Sequence, residues 1–169
     1  YSVKPAEWGS FLCAVFDEWV RHDVGEMFVQ IFDATLAGWM GVQPGVCAYA
    51  EECGHAMVME HNGDLYPCDH FVFPEYRLGN LLREGLPQMA YGAKQNAFSR
   101  LKRDALPAHC RECPRLRFTR TADGEPGLNY LCAGYQQYFQ HVAPYMDYMR
   151  QELLAGRTAD GVMRHFFRE

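Results

Sequence analysis

The stretch "CGHAMVMEHNGDLYPCDHF", residues 53–71, decides how the chain is to be read. Met57 to Glu60 are predicted to form one strand of a β-hairpin, His61-Asn62-Gly63-Asp64 the turn, and Leu65-Tyr66 the return. A hairpin of that kind needs no cysteine, yet this one opens at Cys53 and closes at Cys68. What joins those two ends is a matter of function.

Outward from the hairpin, the cysteines fall into two groups. Cys47, Cys53 and Cys68 surround it, and Cys110, Cys113 and Cys132 surround a later loop, "HCRECPRLRFTRTADGEPG". Both groups lie among Gly, Pro and turn residues, where backbone can bend round a centre. Cys110-x2-Cys113 puts two thiolates on one tight turn, which suits a metal. Redox pairs of the same spacing usually open a helix after a strand, whereas Pro107 and Pro114 make this one a loop. Structural zinc and iron-sulfur clusters both prefer four protein ligands, and spacing does not choose between them. Nor does it exclude that some of these thiols are small buried hydrophobes. Cys13 falls off the apolar stripe of its helix and is set aside as a bystander.

Composition narrows the class. At 169 residues with 49% hydrophobic and 22% charged, the chain can bury a real core without disulfides. A net charge of -5 argues against nucleic acid as a partner, and the short basic run Arg115 to Arg120 reads as a solvated loop. No run approaches the ~18 apolar residues of a membrane span, and the start lacks a basic region followed by an apolar one. The expectation is a cytoplasmic protein, in which seven cysteines are thiols rather than a disulfide framework.

The fold class expected is α+β. Trp8, Phe11, Leu12, Val15, Phe16, Trp19 and Val20 recur with helical spacing from Pro5 to just before Gly25. "MFVQIFD", residues 27–33, reads as a buried strand, so that residues 1–40 look like the closing helix-strand unit of a partial α/β barrel. Residues 41–169 then form a second domain, a small β-hairpin plus helices. "LGNLLREG" and "LPQMAYGAKQNAFSRLKRDAL" read as short helical pieces, a helix carries Cys132, and Pro144 opens a last one ended by Gly156.

Taken together, "CGHAMVMEHNGDLYPCDHF", "LGNLL", "LPAHCREC" and "GEPGLNYLCAGY" resemble the C-terminal region of anaerobic sulfatase-maturating enzymes. These are radical S-adenosylmethionine proteins with an auxiliary-cluster (SPASM) domain. "FVQIFDATLAGWMG" is similar to the stretch that ends their partial barrel. The resemblance implies oxidation of a sulfatase cysteine or serine to Cα-formylglycine, with the sulfatase polypeptide as partner and auxiliary [4Fe-4S] clusters as cofactors. It implies that Cys47, Cys53 and Cys68 ligate one cluster, that Cys110, Cys113 and Cys132 ligate another, and that Asp69 is the general base. His55, His61 and His70 are read first as hydrogen-bonded loop residues.

Two departures qualify what is implied. The C-x3-C-x2-C that holds the S-adenosylmethionine cluster occurs nowhere in the chain, so activity is expected only of a longer parent that supplies the radical S-adenosylmethionine domain. The family's later motif has further cysteines where this chain has one pair before Cys132, and Cys113 can be matched to either of two of them. Each cluster is then one ligand short, and a zinc-bound or metal-free peptide-docking module is the alternative.

Overall fold

The computed structural model describes residues 2–43, 45–50, 52–104 and 129–167. Cys110, Cys113 and the Arg115–Arg120 run lie outside the described residues.

The first helix, α1 (Pro5–His22), begins where expected. Pro5 occupies its first turn, and the Lys4 amide donates to Glu7 Oε2 at 3.3 Å, which closes the open end. Its buried face is narrower than the apolar stripe suggests. Leu12, Phe16, Trp19 and Val20 are buried, while Phe11 and Val15 face outward. Past the helix, Gly25 turns the chain at φ 87°, a conformation that favours glycine.

The strand expected over residues 27–33 does not form. Val29 is extended, and α2 (Gln30–Trp39) starts immediately after it. The Val29 amide donates to Asp33 Oδ2 at 3.0 Å, a helix-start bond that overrides the local β pattern. The apolar positions continue past Asp33 with helical rather than twofold spacing: Phe32 is buried, and Leu36 and Trp39 pack against the same core.

Pro144 does not open a separate helix. A single helix, α5 (Cys132–Leu154), runs through it. The missing N–H costs one backbone bond, but Val142, Met146 and Met149 on the same helix are fully buried, and their packing outweighs that loss. A short helix, α6 (Gly161–Phe166), follows and lays Val162 into the core.

These four helices share one aromatic-rich core. Phe16 packs edge-on against Phe32 and Tyr138, and Tyr138 shares a 3.2 Å hydrogen bond with Thr35 in the interior. Burial pushes the Tyr138 phenol far above its ordinary pKa. Helices α1 and α5 touch backbone to backbone: a Cβ on Gly134 would fall 2.2 Å from the Pro5 carbonyl oxygen, and one on Gly9 would fall 2.9 Å from the Gly134 Cα.

The second region is a small antiparallel sheet, β1 (Val58–Met59), β2 (Asp64–Tyr66) and β3 (Gly79–Asn80), in that order. Val58 pairs with Tyr66, and Leu65 pairs with Gly79. The helix expected at "LGNLLREG" is therefore replaced by β3 and a turn. The Leu78 and Leu81 amides ladder onto Leu65 and Gly63 carbonyls, and the Glu84 amide closes the turn on the Asn80 carbonyl at 2.9 Å. Two helices, α3 (Leu86–Ala90) and α4 (Ala93–Asp104), complete this region. Its own core is small: Leu65, Leu78 and Met89, edged by Met57 and Leu81.

Candidate iron-sulfur site

The hairpin is fixed by polar contacts at its turn. Asp64, 8% exposed, accepts from Arg77 Nη1 at 3.1 Å and from Asn80 Nδ2 at 2.8 Å. Asn62 Oδ1 accepts the Asp64 amide, and Gly63 takes φ 85°. Asn80, first through its side-chain bond, and then Arg77 hold the Asp64 carboxyl below the usual carboxylate range. This carboxylate ties β2, β3 and the Arg77 loop together, so the end of β2 is held firmly where it leads into Cys68.

Beyond β2, Cys68 precedes a 3-10 turn, Asp69–Phe71. The tight turn folds Asp69 and His70 back over the sulfur. Cys68 Sγ donates to Asp69 Oδ1 at 3.3 Å, and His70 Nδ1 lies 2.9 Å from the same oxygen and 3.7 Å from the sulfur. Burial raises the Cys68 pKa, and the charges of Asp69 and Cys53 add to the rise against a backbone hydrogen bond at His70. The Cys68 thiol and then the His70 ring lower the pKa of Asp69, which is exposed and ionised at neutral pH.

Among the described residues, Cys68, Asp69 and His70 are the group whose sulfur, oxygen and nitrogen ligand atoms all lie within 4.8 Å of one another. Cys53 lies on the strand-side arm that leads into β1, its amide bonded to the Ser99 carbonyl at 3.1 Å. Cys47 opens another 3-10 turn, Cys47–Tyr49, on the surface, and Cys132 begins α5. His55 packs against the Tyr91 ring at 5.3 Å, and His61 lies beside Glu60 at the exposed turn. Cys13 packs partly buried against the helical core, where burial and then Asp17 raise its pKa.

The donor set fits an iron-sulfur group. The thiols lie at turns with solvent access, and soft thiolates are what iron-sulfur clusters take. Cys53 and Cys68, at the two ends of the hairpin, are thiolate donors of the kind such a cluster takes.

Reasoning from sequence found α4 as a helix but missed its place at the site. The Cys53 amide donates to the Ser99 carbonyl at 3.1 Å, so this helix reaches the site directly. Its polar positions at helical spacing were visible, but a polar helix stripe ordinarily faces solvent.

Residues 47–114 match SPASM, an iron-sulfur cluster-binding domain. A serine-type anaerobic sulfatase-maturating enzyme of Bacteroides thetaiotaomicron is 57% identical over 97% of this chain, which covers 42% of that protein. A cysteine-type enzyme of Clostridium perfringens is 26% identical over 85% of the chain and is likewise covered to 42%. The solved structure of native anSMEcpe with bound AdoMet and Cp18Cys peptide superposes with a TM-score of 0.77 at 25% identity, over 90% of this chain and 45% of that one. The chain thus spans less than half the length of these relatives, and it is a SPASM-bearing relative of the anaerobic sulfatase-maturating enzymes of the radical S-adenosylmethionine superfamily.

Proposed function

We propose that the chain is the auxiliary-cluster part of an enzyme that oxidises a sulfatase serine or cysteine to Cα-formylglycine. The observation that carries this reading is the 57% identity to a sulfatase-maturating enzyme across 97% of the chain, with the cysteine-bearing hairpin inside the SPASM match. In this reading the hairpin region within residues 41–169 is the auxiliary-cluster module, while α5 and α6 pack with residues 1–40 into the helical region that adjoins the catalytic barrel of the longer protein. Cys47, Cys53 and Cys68 hold one [4Fe-4S] cluster, and Cys110, Cys113 and Cys132 contribute to another. The sulfatase polypeptide is the partner, and S-adenosylmethionine acts in the part of the enzyme that this chain does not include.

For a serine substrate the net change is loss of a hydrogen atom from Cβ, then of one electron and the hydroxyl proton. A cluster bound at the hairpin would supply a one-electron acceptor. Asp69 takes up the proton: its carboxylate is ionised, 72% exposed and beside the cysteine that would face the cluster. A thiolate bound to metal would have no proton to donate, so the Cys68 bond to Asp69 Oδ1 would lapse on loading and leave His70 as the partner of that oxygen. His70 keeps its 2.9 Å contact and orients the carboxylate.

Anaerobic reconstitution of the full-length protein with iron and sulfide tests the reading. The expected product is brown and carries iron and sulfide in cluster proportions, and Cys53→Ser with Cys68→Ser removes most of one cluster. A colourless protein, or one that elemental analysis shows to hold zinc alone, overturns it. Asp69→Asn is expected to keep the colour and lose formylglycine formation by about 100-fold or more.

A further inference from the structure

Helix α4 meets the hairpin in a regular way. Gln95, Ser99 and Arg103 stand at successive helical turns along one face, and they contact Gly54, Cys53 and Glu52 in reverse order. Gln95 Nε2 donates to the Gly54 carbonyl at 3.3 Å, the Ser99 carbonyl accepts the Cys53 amide at 3.1 Å, and Arg103 Nη1 pairs with Glu52 Oε1 at 2.5 Å. The cysteine arm lies antiparallel along the helix, one residue per turn.

The same helix also grips the other arm. Phe98 is buried and packs edge-on against Phe71 at 5.2 Å and Tyr76 at 5.9 Å, which flank the turn after Cys68. Lys94 Nζ donates to the Arg77 carbonyl at 3.2 Å. Cys53 is thus held by the α4 backbone at Ser99, and the Cys68 turn by the side chain of the preceding residue, Phe98.

Gln95 shows that this contact is not simply packing. Its side chain is fully buried, and its Oε1 finds no hydrogen-bond partner among the described residues. An idle buried amide oxygen costs stability, about 1–3 kcal/mol. An apolar residue of the same length would avoid that cost, so what the glutamine contributes is the single donor reaching Gly54.

We propose that α4 is the spacer that sets the separation of Cys53 and Cys68, with Gln95 as its positioning residue. The consequence for a cluster rests on the iron-sulfur reading above. Outer contacts that fix ligand geometry typically change metal affinity by about 10–100-fold, and hydrogen bonding near the ligands tunes cluster potential.

The test uses the full-length protein with Gln95→Met, which keeps the bulk without the donor, and Arg103→Ala, which lies on the surface. In metal-free protein, thiol cross-linkers of stepped length, from dibromobimane to longer bis-maleimides, are read by mass spectrometry for Cys53–Cys68 bridges. Wild type is expected to favour one length and Gln95→Met to spread over several, with Arg103→Ala between them. After loading, Gln95→Met is expected to lower apparent iron affinity by about 10-fold and to shift the midpoint potential and electron paramagnetic resonance signature of the cluster that remains. An unchanged bridging pattern in Gln95→Met overturns the spacer role whatever the iron does. The same holds for a variant that only melts earlier while its loaded fraction keeps the wild-type signature. If wild type takes up no iron, the cluster reading fails while the bridging pattern still decides the spacer.

Discussion

The two regions of this molecule are held together in different ways. The helical region buries Phe16, Val20, Phe32, Tyr138, Val142, Met146, Met149 and Val162 completely, and apolar packing accounts for its shape. The hairpin region buries three hydrophobic residues in its cluster, Leu65, Leu78 and Met89, and depends on Asp64, Asn80, tight turns and the grip of α4. A core that small gives little margin, and bound metal is a usual supplement for such modules. The difference teaches where chemistry resides: the hairpin cysteines Cys47, Cys53 and Cys68 sit where the fold is thin, and a cluster there would serve structure and electron transfer together.

Substitutions can break or sharpen this contrast. The largest effect is expected for Phe16→Ala, which empties the centre of the helical core and should cost about 3–5 kcal/mol in urea unfolding followed by helical circular dichroism. Next comes Gly134→Ala, whose methyl would sit 2.2 Å from the Pro5 carbonyl and push α1 off α5. A loss of about 3 kcal/mol is expected, and an unchanged melting midpoint would show that the helices do not touch there.

Leu65→Ala should cost about 2–3 kcal/mol, but only the hairpin region should record it. Hydrogen exchange is expected to rise at the Leu78 and Leu81 amides and to stay slow along α5. Iron removal by a chelator should produce the same pattern without mutation, and equal loosening of both regions would contradict the comparison.

The smallest effect concerns Asp64. Its folded-state pKa is lowered, so its contribution is present above the unfolded carboxylate value, about 3.9, and is lost as pH falls through the folded value. The stability difference between wild type and Asp64→Asn should therefore be constant near neutral pH and shrink in acid below about pH 4. A difference that grows on acidification would reverse the assignment.

The two regions also differ in how much could be read in advance. Helix α1 and the hairpin turn follow from spacing, from Pro5 and from Asn62-Gly63, since each depends on residues near in sequence. "MFVQIFD" misled because its β pattern is local, while the bond from the Val29 amide to Asp33 that starts α2 is a capping detail. At "LGNLLREG", pairing with β2 across the sheet decided between strand and helix, and no local signal carries that. Pro144 looked like a boundary because the packing that carries α5 through it comes from other helices. Of the candidate site, the cysteines, the hairpin and Asp69 could be named from the sequence, and the structure brings Cys68 and Asp69 together. The part played by Gln95 was not, because a buried glutamine and a solvated one look alike in a sequence.

Helix α5 has a consequence for durability. Its 23 residues make a rod about 34 Å long, with Cys132 at its tip and Met146 and Met149 clamped between α1, α2 and α6 further along. A thiol mounted this way sits on no tether. Whatever it binds is thereby joined to the helical core through one continuous run of helix.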